Sequence, residues 1–372
     1  MIVSAFGYSV PFTVVLVALA LLLGLAITVM FWLTIGLSVY RSVQDTQRNR
    51  VRDELQTELL DGVFSSDTDW TQWVEGLSAT ERDVVESLLD EYLRELDGEN
   101  VAQLQDLGAI LGIPNRSKQW LKYGGEYKRL HALTWLTLLG CPEQLEQTDF
   151  TPRTSRERAA VVRLRYDCDD LNNPREGLRL LLDNVSTQFT VFGQDTLYRV
   201  ALDDPSALFE VSAVNYQTWS EPLLLQVLVV CQHLGNSVTT ENVSWVTSML
   251  EHENKAVRAA AARALRNVGW RSDIRDGPFL DRVINDPSPM VRGAVSQMLA
   301  EWGDSQALDA LRNQLETEAN PRSRLIGTNA LVRSGERFHV DISQPLATAM
   351  VWSTEHAEYD DIARQRRQQV AD

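Results

Sequence analysis

The chain opens with a stretch in which charged side chains are absent. Residues 1–40 contain no Asp, Glu, Lys, Arg or His, and residues 11–40 are almost wholly apolar. A helix that spans a bilayer needs about 20 such residues, whereas a cleaved signal peptide has a basic start and an apolar core of about 7–15 residues. The pattern predicts a transmembrane helix over 11–40, with a short extracytoplasmic tail over 1–10.

Basic residues flank this segment on one side only. No cation precedes it, and the arginines that follow it are Arg41, Arg48, Arg50 and Arg52. Because cytoplasmic flanks are enriched in Lys and Arg, these arginines set the topology. The sequence predicts a single-pass protein of the cell membrane with its N-terminus outside and its C-terminal body in the cytoplasm. Residues 41–77 then form a juxtamembrane stalk and linker.

Helical periodicity begins after the linker. Ser78 and Glu81 have the spacing of a capping box at a helix N-terminus. Apolar residues then recur at intervals of three and four from Val84 to Leu96, and again from Val101 to Leu111. We expect an N-terminal helical cap over 78–119.

A longer pattern recurs from about residue 120. In its clearest copy, Val257-Arg258 is followed by Leu265 and Gly269, and the same offsets recur at Val291-Arg292. Seven copies, some of them loose, begin at 128, 157, 190, 223, 257, 291 and 323. A nearly fixed period of this length is typical of a solenoid. The predicted fold is all-α: an α-solenoid of helix pairs over 120–345, then a C-terminal helix and polar tail over 346–372.

Five arginines occupy one equivalent position in these copies: Arg129, Arg158, Arg258, Arg292 and Arg324. In stacked repeats such side chains line up, and each can pair bidentately with a carboxylate or a helix-end carbonyl next door. The alternative is an arginine stripe that binds a ligand. We favour the structural role.

The element from Asp286 to Ala294, in which Asp-Pro is followed by Val-Arg and Ala, resembles HEAT repeats. Its short period is similar to the compact subtype that also occurs in phycobilisome lyases. The tetratricopeptide and ankyrin signatures are absent. The resemblance implies an ARM-like superhelix with an extended surface for protein binding, and more remotely a lyase-like activity.

Composition narrows the function classes. The formal net charge is −16, with 35 basic and 51 acidic side chains, so the chain is a poor general ligand for nucleic acid. Only four of the basic residues are lysines. This composition has two interpretations: an ordinary acidic cytoplasmic protein, or halophilic adaptation to high internal salt, which we favour.

No chemistry-bearing motif stands out. The five histidines form no metal-binding pair, and the three cysteines are widely spaced. The acidic run at Asp167, Asp169 and Asp170 is more typical of a helix end than of a cation site. We therefore predict no catalytic, cofactor-binding or metal-binding residues, no cofactor and no enzyme activity.

Together these features predict a membrane-anchored scaffold or adaptor for protein–protein interaction. Its partners would be proteins, themselves membrane-associated, and residues 11–40 would contact the lipid bilayer. One alternative is an accessory subunit of a membrane enzyme or transport complex, for example in surface polysaccharide assembly. A lyase-like enzyme is a weaker alternative.

Overall fold

The computed structural model describes residues 2–5, 8–65, 68–96, 98–171, 173–234, 240–268, 279–335 and 343–371. The chain forms two compact units, Met1–Arg116 and Ser117–Asp372. The secondary structure of the described residues is helical except for one short hairpin. The all-α prediction is therefore confirmed in outline.

The hairpin was not predicted. Its strands β1 (Ile2–Ala5) and β2 (Tyr8–Pro11) pair antiparallel, with Val3 opposite Val10. Helix α1 (Phe12–Phe64) follows directly and runs unbroken for 53 residues. Because this stretch contains no proline, nothing interrupts its backbone hydrogen bonds between the apolar segment and the predicted stalk.

The N-terminal half and the C-terminal end of α1 have different surroundings. Side chains from Leu21 to Ile35 are exposed, although most of them are large and apolar. Near the other end, Leu55, Leu59 and Val63 are buried at intervals of four residues. Over the residues that the structure describes, no helix is long and apolar enough to cross a membrane.

The buried end of α1 packs against two further helices of the first unit, α3 (Ala79–Glu95) and α4 (Glu99–Ile110). The capping box is confirmed, because the Ser78 side chain accepts the Glu81 N–H and the Glu81 side chain accepts the Ser78 N–H. The predicted stripe is also buried between Val84 and Leu93. The helices that follow α1 are α2 (Trp70–Gly76), α3 (Ala79–Glu95), α4 (Glu99–Ile110) and α5 (Ile113–Tyr123), with the division between units falling inside α5.

The second unit continues with helices in sequence. They are α6 (Glu126–Leu139), α7 (Glu143–Gln147), α8 (Ser155–Asp167), α9 (Pro174–Leu182), α10 (Val191–Asp203), α11 (Pro205–Asn215), α12 (Glu221–Gln232), α13 (Thr240–Ser248), α14 (Lys255–Leu265), α15 (Phe279–Ile284), α16 (Pro289–Trp302), α17 (Ser305–Thr317), α18 (Pro321–Arg333) and α19 (Gln344–Ala371).

These helices form two ranks. We call α6, α8, α10, α12, α14, α16 and α18 the first rank; each contacts the next one in this series. Each first-rank helix begins within two residues of a predicted repeat start. We call α9, α11 and α13 the second rank, and they also contact one another in order. This arrangement of the second unit is consistent with an α-solenoid.

A nearly continuous apolar core lies between the ranks. One cluster of buried side chains extends from Ala159 to Leu346, and a smaller one surrounds Leu133 and Leu164. The alanine-rich stretch of α14 belongs to the large cluster, with Ala259 to Ala262 all buried. Small side chains there let α14 pack closely against its first-rank neighbours α12 and α16.

The glycine that ends several repeat copies has a conformational reason. Gly140 and Gly303 end α6 and α16 in the left-handed region, with φ of 64° and 66°. Gly335, after α18, has φ of 82°. A side chain disfavours this conformation, whereas glycine adopts it freely. Two other repeat-ending glycines, Gly235 and Gly269, lie outside the described residues.

Candidate interaction surface and the arginine network

The arginine of the clearest repeat joins two consecutive first-rank turns. Arg258, in α14, donates from Nε and Nη2 to the two carboxylate oxygens of Asp286, at 2.7 and 3.1 Å. Its Nη1 donates to the backbone carbonyls of His252 and Glu253, at 2.8 and 2.9 Å. The planar guanidinium thus bridges the turn before its own helix and the turn before the next one.

Arg292, in α16, repeats this geometry. It donates to both carboxylate oxygens of Glu318 at 2.7 Å, and to the carbonyls of Asp286 and Pro287 at 2.7 and 3.2 Å. Asp286 therefore accepts Arg258 through its side chain and Arg292 through its backbone. Glu318 plays the same double part, because its carbonyl accepts Nε of Arg324 at 3.0 Å. One polar network links α14, α16 and α18.

The carboxylates also shape the turns. Asp286 Oδ1 accepts the Ser288 N–H and Glu318 Oε1 accepts the Asn320 N–H, both at 2.8 Å. Burial opposes ionisation of Glu318, but the hydrogen bonds from Arg292 and the Asn320 N–H outweigh it and lower the pKa of this carboxyl. The folded structure therefore favours the ionised carboxylate of Glu318.

The two N-terminal arginines use other partners. Arg158 donates to the carbonyls of Leu180 and Asp183, at the C-terminal end of α9, at 3.3 and 2.6 Å. Arg129 is buried and pairs with Glu157 at 2.9 Å. The guanidinium of Arg129 also lies 4.8 Å from the ring centroid of Phe150.

The side chains in this network are mostly shielded from solvent, and the arginines direct donors into the fold. Of the arginines expected to set topology, Arg50 pairs with Glu54 at 3.4 Å, and Arg52 pairs with Glu91. The side chains of Arg41 and Arg48 lie outside the described residues.

Clefts on the first rank offer accessible surface. One, of about 490 Å³, lies between α14, α16 and α18 and includes Arg266, Gln297 and Asn329. Another, of about 460 Å³, lies between α10 and α12 and includes Val191, which is 87% exposed, and Tyr198. None of these residues was predicted from the sequence. One sequence feature could have indicated that Val191 is exposed: it is the first residue of α10, directly after the N-cap Thr190.

A third cleft, of about 420 Å³, lies on the second rank between α9 and α11. It is crossed by an ion pair between Arg175 and Glu210, and Val214 at its edge is 81% exposed. The clefts of the two ranks are similar in volume, and the second-rank cleft is the one crossed by the Arg175–Glu210 ion pair.

The described residues contain little that resembles catalytic chemistry. Among them, no three His, Cys, Asp or Glu side chains are grouped so that they could hold a metal ion. In the acidic run at the end of α8, Asp167 and Asp170 lie 3.9 and 4.0 Å from Arg163 and Arg165. Burial raises the pKa of the Cys168 thiol to about 11, so this thiol remains protonated at neutral pH.

No protein-family model matches the chain, and no curated protein is significantly similar to it. The likeness to HEAT repeats therefore depends on the residues quoted above.

Proposed function

We propose that the chain is a membrane-anchored scaffold whose second unit is a HEAT-like α-solenoid that binds a protein partner. The observation that carries this proposal is the unbroken series of first-rank contacts, tied by the arginine network and flanked by open clefts. Repeats that contact only their neighbours build extended binding surfaces. Because Arg258 and Arg292 are bound to turns within the fold, we place the partner in the first-rank clefts.

Two features of α1 support the anchor. In the sequence, the charge-free stretch continues to Tyr40, and its apolar part over 11–40 exceeds the roughly 20 residues that a bilayer requires. The hydroxyls of Thr28 and Thr34 donate to the carbonyls of Gly24 and Met30, each at 2.8 Å. These polar groups are therefore satisfied within the helix, as a lipid environment requires. The four arginines after Tyr40 favour a cytoplasmic body.

A pair of matched variants tests the proposed binding surface. Val191→Glu places a charge in a first-rank cleft, and Val214→Glu places the same charge at a similarly exposed position of the second rank. Each full-length variant is purified from detergent-solubilised membranes, and the co-purifying proteins are quantified. We expect Val191→Glu to reduce recovery of the partner at least about tenfold, because an unpaired charge buried in an interface costs about 2 kcal/mol or more. Recovery with Val214→Glu should match the wild type.

The proposal fails if both variants recover the same partner as the wild type, or if only Val214→Glu loses it. Circular dichroism of both variants checks that the fold is intact. The identity of the recovered protein separates the two functions: a stoichiometric membrane enzyme or transporter indicates an accessory subunit, whereas several unrelated proteins indicate a general adaptor.

A further inference from the structure

The region around the α5–α6 turn reverses the charge of the rest of the chain. Residues 107–142 contain five basic side chains and a single acidic one, Glu126, in a protein whose net charge is −16. Three of the four lysines of the whole chain lie here, within eleven residues. None of these three lysines forms an ion pair with a carboxylate that the structure describes.

Exposed tyrosines accompany the lysines. Among the described aromatic side chains, Tyr123 and Tyr127 are the most exposed, at 78% and 81%. Lys122 Nζ lies 5.3 Å from the Tyr123 ring centroid. We call Lys118, Lys122, Tyr123, Tyr127 and Lys128 the corner patch; it belongs to the second unit.

The fold holds the corner patch in place. Tyr127 stacks on His131 with ring centroids 6.3 Å apart, and the buried Trp135 donates from Nε1 to His131 Nε2 at 3.2 Å. The turn itself requires glycine, because a Cβ on Gly124 would lie 2.9 Å from the Cβ of Lys128. The patch is therefore a preformed surface.

We propose that the corner patch docks on the anionic surface of the bilayer to which the chain is anchored. Lysines close to an anionic leaflet each favour contact by roughly fivefold, and tyrosine is typical of the membrane–water interface. The side chains of Lys122, Tyr123, Tyr127 and Lys128 are exposed, whereas Lys118 is half-buried and donates to Gln147 Oε1 at 2.9 Å. The inference rests on the proposed anchor, which would tether the chain to a lipid surface.

Lysine labelling tests the docking without altering the protein. The full chain is placed in nanodiscs of phosphatidylcholine alone, and in nanodiscs with about a quarter phosphatidylglycerol, in about 0.1 M salt. Amines are acetylated with a water-soluble reagent and quantified by mass spectrometry. We expect Lys122 and Lys128 to react roughly threefold more slowly, or slower still, in the anionic discs. Lys255, the one lysine elsewhere in the chain and also exposed, should react equally in both.

Two variants with opposite expected effects sharpen the test. Tyr123→Ser with Tyr127→Ser removes the apolar contact and should restore labelling in anionic discs, whereas Glu126→Gln removes the single carboxylate and should slow it further. Equal labelling of Lys122 and Lys128 in the two lipids would overturn the proposal. Protection that appears equally in uncharged discs and grows with the number of chains per disc would also overturn it, because the acidic surface of a second copy would then be the partner. A chain that enters neither disc would refute the anchor itself, a result distinct from both.

Discussion

At the scale of single residues, Glu318 is a buried carboxylate whose charge depends on its contact with Arg292. The Glu318 side chain is only 1% exposed, and its charge is compensated by Arg292 and the Asn320 N–H. A buried carboxylate that loses its counter-ion must remain ionised without compensation or take up a proton. Breaking the exposed pair of Arg199 and Asp195 costs less, because water solvates both side chains.

We therefore expect Arg292→Met to destabilise the second unit by about 3–5 kcal/mol, the usual cost of breaking a buried pair. Arg199→Met, the matched control in the same unit, should cost below about 1 kcal/mol. Urea unfolding at neutral pH measures both. Equal costs for the two substitutions would show that burial of Glu318 is not decisive.

The same pair predicts a pH dependence. Because the pKa of Glu318 is lowered in the folded protein, the unfolded chain binds the proton more readily. The stabilisation from Glu318 is thus complete above its ordinary pKa of 4.5 and is lost as the pH falls through the lower folded value. Arg292→Met should cost less at pH values below this range than at neutral pH. Thermal unfolding of both proteins across that interval measures the difference, and a cost that grows in acid would contradict the assignment.

At the scale of elements, glycines divide into those that end a helix and those within one. Gly303 ends α16 with positive φ, where a side chain is strained. Gly293 lies inside the same helix, and a Cβ there would lie 3.5 Å from Ile326 Cδ1, an ordinary contact distance. Their roles in the repeat therefore differ although both residues are glycine.

This contrast predicts opposite effects of one substitution. Gly303→Ala should lower stability by about 1 kcal/mol, whereas Gly293→Ala should be neutral or raise it by up to about 1 kcal/mol, because alanine reduces the freedom of the unfolded chain. Urea midpoints of the two variants and the wild type give the comparison. If Gly293→Ala proves the more damaging, packing between α16 and α18 is tighter than the distance indicates.

The predictability of these elements follows from how local their causes are. The capping box at Ser78 and the starts of the first-rank helices depend on neighbours in sequence, so the pattern located them closely. The partners of the arginines could not be located in this way, since Arg258 and Asp286 are 28 residues apart. The sequence nevertheless contains a clue to this pairing. The repeat copy before Arg258 has Leu224 in place of arginine, and the residue 28 positions later is His252, not a carboxylate.

At the scale of the whole molecule, the charge of −16 opposes compaction through self-repulsion. Salt screens this repulsion over about 10 Å at 0.1 M and about 3 Å at 1 M. The corner patch is a local exception that the overall charge concealed, because its lysines become conspicuous only when charge is counted over a short window. In these proposals the anchor and the corner patch would contact lipid, whereas the clefts would bind a protein.

Screening predicts that the protein is stabilised by salt. In a non-ionic detergent, the unfolding temperature of the full chain should rise by several degrees between about 0.1 M and 2 M KCl. Circular dichroism at increasing KCl measures the shift. An unfolding temperature that stays constant or falls would show that the attractive ion pairs lose more from screening than the like charges gain.

The double use of Asp286 and Glu318 makes two successive junctions, α14–α16 and α16–α18, equivalent. Each of these residues holds the previous arginine by its side chain and the following arginine by its carbonyl, so the junctions α14–α16 and α16–α18 have the same two connections. Removing residues 287–318 would place Arg324 six positions after Asp286, where Arg292 now stands. The shortened array would keep Arg258 paired with Asp286, and Arg324 would donate to the Asp286 carbonyl as it now donates to the Glu318 carbonyl. Between α14 and α18 the array can therefore lose or duplicate a whole unit without leaving a buried carboxylate uncompensated at the join.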